Sequence, residues 1–452
     1  MPAAAPPPLR LRGLTPGTVA TGVELLGDRP VVLVRCRPGS RGGALSEVAG
    51  RTLAAAATEA GALRLPLVIV VASGGADVAE GINALHGWGL AAAAVARCSG
   101  RVPVLMAVTG PALSGQALLL GLADVVCLSE GATAYVSGPA MVEEMTGVRL
   151  SPADLGGAGV HTRHSGLATL TVHDEAAALA ALGEVLAYLP DSCEDLPPAT
   201  PVDDPGDRPC PQLRTLLPAA PTGAYDVRHV AAEVADEDSF LELWAAWAPN
   251  LVVGLATFEG HPVGVVANQP QALAGTLDIP ASQKGARFVD LCDAFNVPLL
   301  TLVDTPGFFP GKDLEWRGMI RHGGQLAFTY ARATVPRVSV ILRKAYGGAY
   351  IVMDCRTMGN DLALAWPSAE IAVMGAKGAI EILHRRSTPE QRAAAEAAYA
   401  ADLLTPYVAA ERGYVDQVID PADTRAVVCT AFRTLRSKLD LVVPRKHDSM
   451  PC

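Results

Sequence analysis

None of the nine cysteines stands in a C-x-x-C spacing, so neither a disulfide framework nor a zinc site is expected. The thiols fit a reducing, cytosolic setting and serve as small apolar residues. No G-x-x-x-x-G-K-[ST] occurs, which removes the phosphate loop of nucleotide hydrolases, although Asp304-Thr305-Pro306-Gly307 looks like a GTPase switch. No G-x-S-x-G occurs either, so Ser114 lacks the setting of a nucleophilic serine. His86, His161, His164 and His322 lack metal-ligand spacing, and no metal is expected. Basic charge is in short supply: 36 Lys and Arg against 46 Asp and Glu leave a net charge of −10. That balance disfavours nucleic acid as a partner, while local Arg and Lys can still bind an anionic ligand. Long apolar runs are missing too. Val102–Leu122 comes closest to a membrane span, but it contains Pro103, Pro111 and three glycines and reads as strand, turn and helix. MPAAAPPPLRLRG lacks the apolar segment of a signal peptide, so residues 1–13 are expected to form a disordered leader.

What is present is a duplication. Half of the 452 residues are hydrophobic and 18% are charged, enough for two packed cores. Val335–Met353 runs from a β-branched strand, Val338–Leu342, through Gly347 and Gly348 into a helix start at Ala349. A strand–glycine–helix turn presents free backbone N–H groups to a small anion. Arg101–Leu120 has the same layout, with Pro103 to Pro336 and Gly115 to Gly348 each 233 residues apart. Pro66 to Pro298 and Pro30 to Pro262 are each 232 apart, and Ala134 to Ile371 is 237. Blocks in one order with a slowly drifting offset mark two copies of a whole domain.

The expected organisation is an N-terminal domain at 14–189, a Pro-rich linker at 190–223 wrapped on the surface, a C-terminal domain at 224–440 and a tail at 441–452. In the first copy Gly17–Val34 reads as a hairpin joined at Gly27-Asp28 and Glu47–Leu63 as an Ala-rich helix. Leu67–Ala72 reads as a strand buried on both faces. In the second copy Ala286–Phe295 and Ile320–Ala333 read as helices and Leu299–Asp304 as the buried strand. The alternation implies a layered α/β fold.

The second half resembles the carboxyltransferase (beta) subunits of biotin-dependent acyl-CoA carboxylases. The stretches that carry the resemblance include ASQKGARFVDLCDAFNVPLLTLVDTPGFFPG, VPRVSVILRKAYGGAYIVM and LAWPSAEIAVMGAKGAIEIL. The first half is similar more weakly, in SGGADVAEG, VTGPALSGQA and LGGAGVHTRHSG. The resemblance implies two tandem crotonase-like (ββα superhelix) domains. It implies carboxyl transfer from carboxybiotin, borne by a biotin carboxylase/biotin carrier partner, to the α-carbon of a short-chain acyl-CoA. Gly348 and Ala349 match the pair that holds the biotin oxygen, and Ser114 and Gly115 the pair that holds the thioester oxygen. Gly74, Gly75 and Ala76, with Gly347, Tyr350 and Ile351, fall at substrate-lining positions; Ile351 lines the acyl pocket or packs in the core. Arg343 and Lys344 meet phosphate or the biotin carboxylate, or are solvated strand-end charges. The family forms homo-oligomers, hexamers among them, in which N- and C-domains of different subunits face each other. Variants of the reading are a biotin-independent decarboxylase or acyltransferase of malonyl- or methylmalonyl-type thioesters, and a non-catalytic assembly paralogue.

The first half departs from the family. AGGA becomes Leu113-Ser114-Gly115-Gln116, and DSGGAR becomes Ala72-Ser73-Gly74-Gly75-Ala76-Asp77. The basic leader of many relatives is expected to be missing. On these grounds Ser114 crowds its hole, and a glycine there is expected to raise acyl-CoA turnover or leave it unchanged.

Overall fold

The structure is a computed structural model, and it describes residues 19–37, 40–218, 220, 222–440, 444 and 446–451. The expected leader at 1–13 lies outside the described residues. The chain divides into two compact units, Met1–Pro197 and Pro198–Cys452.

Among its described residues the first unit has seven strands: β1 Val19–Leu26, β2 Arg29–Cys36, β3 Leu67–Ser73, β4 Val104–Leu113, β5 Val125–Ser129, β6 Thr133–Tyr135 and β7 Leu170–Val172. Their order is β1-β2-β3-β4-β5-β7, with β6 paired to the far end of β4. The β1–β2 hairpin is antiparallel and turns at Gly27, where φ is 61°. The pairings from β2 onward are parallel. All of Leu67–Ser73 is buried, as its unbroken apolar run requires of a strand covered on both faces. The helix Glu47–Leu63 starts where the Ser46 hydroxyl accepts the Ala49 N–H at 3.1 Å. It buries Leu53, Ala56, Ala57 and Ala60 and crosses the helix Ile82–Ala96 at Gly50 and Gly87. A Cβ on Gly50 would lie 2.2 Å from the Gly87 carbonyl oxygen, so glycine sets how near these helices come.

The second unit has eight among its described residues: β8 Leu241–Leu243, β9 Leu251–Phe258, β10 His261–Asn268, β11 Leu299–Thr305, β12 Arg337–Tyr346, β13 Leu362–Ala365, β14 Glu370–Ala372 and β15 Gln417–Val418. The order is β15-β13-β12-β11-β10-β9-β8, with β14 paired to β12. Apart from β8 this is the first sheet again, so each unit has the crotonase-like ββα arrangement. The repeat extends to an irregularity. The β3–β4 register shifts between Val71 and Ser73, and the β11–β12 register shifts between Val303 and Thr305. A break in register of this kind bends a strand and often lies beside a functional site.

Two stretches differ from the sequence-based expectation. The helix expected from Ala286 begins at Ile279, because Asp278 caps the Ala281 N–H at 2.9 Å and Pro280 falls in the first turn, where its missing N–H costs nothing. The Pro-rich stretch is not confined to the surface. Cys210 and Leu213 are buried in the core of the second unit. The fully buried Arg425 holds the chain in place, donating to the carbonyls of Asp204 and Pro205 at 3.1 Å each and to Asp236 at 2.7 Å. Among the described residues no helix is long and apolar enough to cross a membrane.

Candidate functional site

In the first unit the chain leaving β3 is bound amide by amide. The Gly74 N–H donates to the Gly42 carbonyl at 2.9 Å, and the Gly75 N–H to the Ser73 hydroxyl at 3.3 Å. The Leu45 N–H donates to the Gly75 carbonyl at 2.7 Å, and the Asp77 N–H to the Leu45 carbonyl at 3.0 Å. Ala76 is left as the one residue from 74 to 77 whose N–H has no acceptor among the described residues. The second unit repeats the pattern 232 residues later. The Leu277 N–H donates to the Gly307 carbonyl at 3.1 Å, and the Phe309 N–H to the Leu277 carbonyl at 2.8 Å. The Gly307 N–H points to the Thr305 hydroxyl at 3.4 Å, and the Phe308 N–H is the one left over.

The second set of donors comes from the strand-to-helix turns. Past β4, the helix Gly115–Leu120 begins, and the N–H groups of Gly115 and Gln116 have no acceptor within it. Past β12, the helix Gly347–Val352 begins, with Gly348 and Ala349 at the positions equivalent to Gly115 and Gln116. In each unit this turn adjoins the strand-end loop. A Cβ on Gly75 would lie 3.7 Å from the Ser114 Cβ, and one on Gly348 would lie 3.6 Å from the Phe308 ring. Each unit thus brings two chain segments that carry N–H groups without an acceptor among the described residues against each other, and N–H groups so placed can hold an oxygen that gains negative charge.

This geometry corrects the expected role of Ser114. Its N–H donates to the Tyr135 carbonyl of β6 at 3.0 Å, so it is spent on the sheet. Among the described residues the N–H groups of Gly115 and Gln116, next in the chain, have no acceptor. Phe308 was missed. The signal for it was its place 232 residues after Ala76, hidden because the two side chains have nothing in common and the backbone N–H is the group that matters.

The glycines of the two turns are there for different reasons. Gly347 has φ 57°, a left-handed conformation that suits glycine. Ser114, 233 residues earlier, has φ 56° and ψ −121°, where a side chain is strained by about 1–3 kcal/mol. A Cβ on Gly115 would meet the Trp88 ring at 2.7 Å, and the Trp88 indole N–H donates to the Gly115 carbonyl, also at 2.7 Å. Gly348 has no such neighbour. Gly115→Ala is therefore expected to cost about 1–3 kcal/mol in chemical denaturation, and an unchanged midpoint would show that Trp88 yields freely.

Behind the second turn lies a buried ionic cluster. The Asp304 carboxylate accepts from the Arg343 guanidinium at 3.0 Å, the Tyr225 hydroxyl at 2.9 Å and the Lys344 N–H at 3.1 Å. Arg343 also donates to the Gly223 carbonyl at 2.7 Å. Burial raises the Asp304 carboxyl above its ordinary range, against the pull of Arg343. Burial, and then the Asp304 charge, push the Tyr225 phenol well up. Arg343 is thus neither a solvated strand end nor free to meet substrate phosphate. Tyr346 pairs with Glu370 at the end of the same strand. Tyr350 is half-buried, and Ile351 is 40% exposed on the turn helix. In the first unit Asp77 accepts the Ala79 N–H at 3.1 Å and caps a short helical turn.

The carboxyl transferase domain family matches residues 12–450. The chain is similar to the propionyl-CoA carboxylase beta chain of Roseobacter denitrificans, with 42% identity over 436 residues covering 96% of this chain and 86% of that one. The propionyl-CoA carboxylase beta chain of Saccharopolyspora erythraea is 43% identical over 430 residues, covering 91% of this chain and 79% of that one. Among solved structures, transcarboxylase 12S, described as a hexamer assembly with hydrolysed methylmalonyl-coenzyme A bound, superimposes with a TM-score of 0.94 at 38% identity. That match covers 96% of this chain and 85% of the other.

Proposed function

Because the chain belongs to the carboxyl transferase family, we propose that it transfers a carboxyl group from carboxybiotin to the α-carbon of a short-chain acyl-CoA of the acetyl or propionyl type. The observation that carries this reading is the doubled cluster of N–H donors. The reaction develops negative charge on two oxygens, one on each reactant, and the duplication supplies one cluster for each. The Ala76 amide, with that of Gly115 or Gln116, would hold the thioester oxygen as the α-carbon becomes an enolate. The Phe308 amide, with that of Gly348 or Ala349, would hold the ureido oxygen of biotin. Gly348 is exposed and open in front, a cradle that a larger side chain would fill, which fits a bulky planar group. The chemistry supplied by bound carboxybiotin is release of carbon dioxide and removal of the α-proton. No side-chain base is then required of this chain, and its residues hold and orient.

The partner is a biotin carboxylase with a biotin carrier domain, and the setting is the cytoplasm, where the described cysteines remain free thiols. The chain assembles as a homo-oligomer, like the transcarboxylase 12S hexamer. Light scattering at micromolar concentration is expected to give an oligomer, and a monodisperse monomer would count against this. For the function itself, the purified chain is combined with a biotin carboxylase, a biotinylated carrier, ATP and labelled bicarbonate. Acid-stable label in the acyl-CoA pool is the expected result. No label with either acetyl-CoA or propionyl-CoA, under conditions where the carrier becomes carboxylated, would overturn the reading.

A further inference from the structure

The two turns part at Ser114. Its backbone holds φ 56° and ψ −121°, and Gly347, its counterpart in the other unit, also has a positive φ, of 57°. The strain is locked in from both sides. The N–H is bound to the Tyr135 carbonyl at 3.0 Å, and the Ser114 carbonyl accepts the Leu118 N–H at 3.2 Å. Glycine would fit without strain, yet the residue is serine.

The usual structural reasons for a serine are missing. A serine before a helix normally caps it, but the Ser114 side chain makes no capping hydrogen bond. It fills no core space, because the residue is exposed. Its hydroxyl has no hydrogen-bond partner among the described residues. The other departure in this turn, Gln116, is different in kind, since its side chain is buried within the unit at 2% exposure. Ser114 thus carries a strained, exposed hydroxyl with no partner among the described residues directly before the Gly115 and Gln116 amides, and its Cβ lies 3.7 Å from where a Cβ on Gly75, the neighbour of Ala76, would stand. One Cβ long, this side chain cannot leave that neighbourhood.

We propose that the Ser114 hydroxyl is a third donor to the thioester oxygen, a catalytic side chain added to a hole that is otherwise made of backbone. The inference rests on the carboxyl-transfer reading above. An enolate oxygen has lone pairs to spare beyond those taken by two backbone amides, and a hydroxyl can rotate to meet one as the charge develops. No bond to Ser114 forms or breaks. This reverses the expectation from sequence alone, in which the same side chain only crowds the hole. The strained backbone is retained because the hydroxyl is used in the reaction.

The test compares Ser114→Gly and Ser114→Ala with the wild type, for thermal midpoint and for steady-state kinetics in the reconstituted assay. Ser114→Gly relieves the strain and removes the hydroxyl. Its midpoint is expected to rise by about 2–4 °C, while kcat falls about 10- to 100-fold. Ser114→Ala keeps the Cβ, so it is expected to show the same loss in kcat with no rise in midpoint. The KM for the biotinylated carrier is expected to stay put in both. Relief of strain alone could raise stability and lower turnover in Ser114→Gly, so the loss of turnover in Ser114→Ala, which keeps the strain, is what assigns the effect to the hydroxyl. Equal or faster turnover by Ser114→Gly would overturn the proposal, as would an acyl adduct on Ser114 in intact-mass spectra of the wild type turning over. If the wild type itself transfers no carboxyl group, the underlying reading fails. If it does and both variants match it, only the role of Ser114 fails.

Discussion

Replacing Gly348 by valine is expected to lower carboxyl transfer by at least about 100- to 1000-fold, the loss typical of one oxyanion donor, with the unfolding midpoint close to that of the wild type. The fold does not need a glycine here. The residue is exposed, and a Cβ would meet only the Phe308 ring at 3.6 Å, an ordinary contact. Gly347 beside it has φ 57° and Gly115 in the other unit abuts Trp88, so neither gives so clean a test. The branches of valine would occupy the space in front of the Gly348 and Ala349 amides, where an oxygen has to come within hydrogen-bonding distance. Circular dichroism and denaturation establish that the variant is folded, and initial rates give the effect. A folded variant with near wild-type turnover would mean that these amides do not hold a reacting oxygen.

Arg343→Leu is expected to destabilise the second unit by about 3–5 kcal/mol at neutral pH, because it leaves a buried carboxylate without its counter-charge. Arg343 is 10% exposed and Asp304 1% exposed, so water cannot take over the role of the guanidinium. The pH dependence has a definite sign. Burial already raises Asp304 above its unfolded value, and loss of Arg343 raises it further. A carboxyl raised in the folded state is penalised where it must ionise, so the deficit is full at neutral pH and above. It should narrow as pH falls toward the ordinary carboxylate range, where a protonated Asp304 is no longer an unpaired charge. Urea denaturation of both proteins across that range checks the prediction. A deficit that is small at neutral pH, or that does not change with pH, would show that the pair contributes little. Activity should fall too, because the Asp304 carboxylate also accepts the Lys344 N–H just before the turn at 3.1 Å and the Tyr225 hydroxyl at 2.9 Å.

The duplication was legible in the chain because prolines and glycines mark strand entries and turns, and backbone demands of that kind survive when side chains drift. The same property made Phe308 invisible. Its contribution is an N–H, and nothing in a phenylalanine side chain advertises that its amide is free while those of Gly307 and Phe309 are bound. Ser114 and Gly115 were found, but the role of the Ser114 amide depended on β6, a three-residue strand whose pairing with β4 is not a local property. Arg343 was ambiguous for the same reason. Whether a strand-end cation is solvated depends on what the fold brings to it, and here that is Asp304 from the neighbouring strand and Gly223 from the Pro-rich stretch. That stretch looked like a surface linker because prolines dominate it. What packs it is an arginine more than two hundred residues later, Arg425, which takes up its carbonyls.

The proposed reaction needs one oxygen of each reactant to meet one cluster of amides. The most direct measurement is a crystal structure of the protein with a short-chain acyl-CoA and biotin bound. The thioester oxygen is expected within hydrogen-bond distance of the Ala76 N–H and of the Gly115 or Gln116 N–H, with the Ser114 hydroxyl turned toward it. The ureido oxygen of biotin is expected at the Phe308 N–H and the Gly348 or Ala349 N–H. Either oxygen bound elsewhere, with these amides facing only water, would show that the two amide clusters do not hold the reacting oxygens.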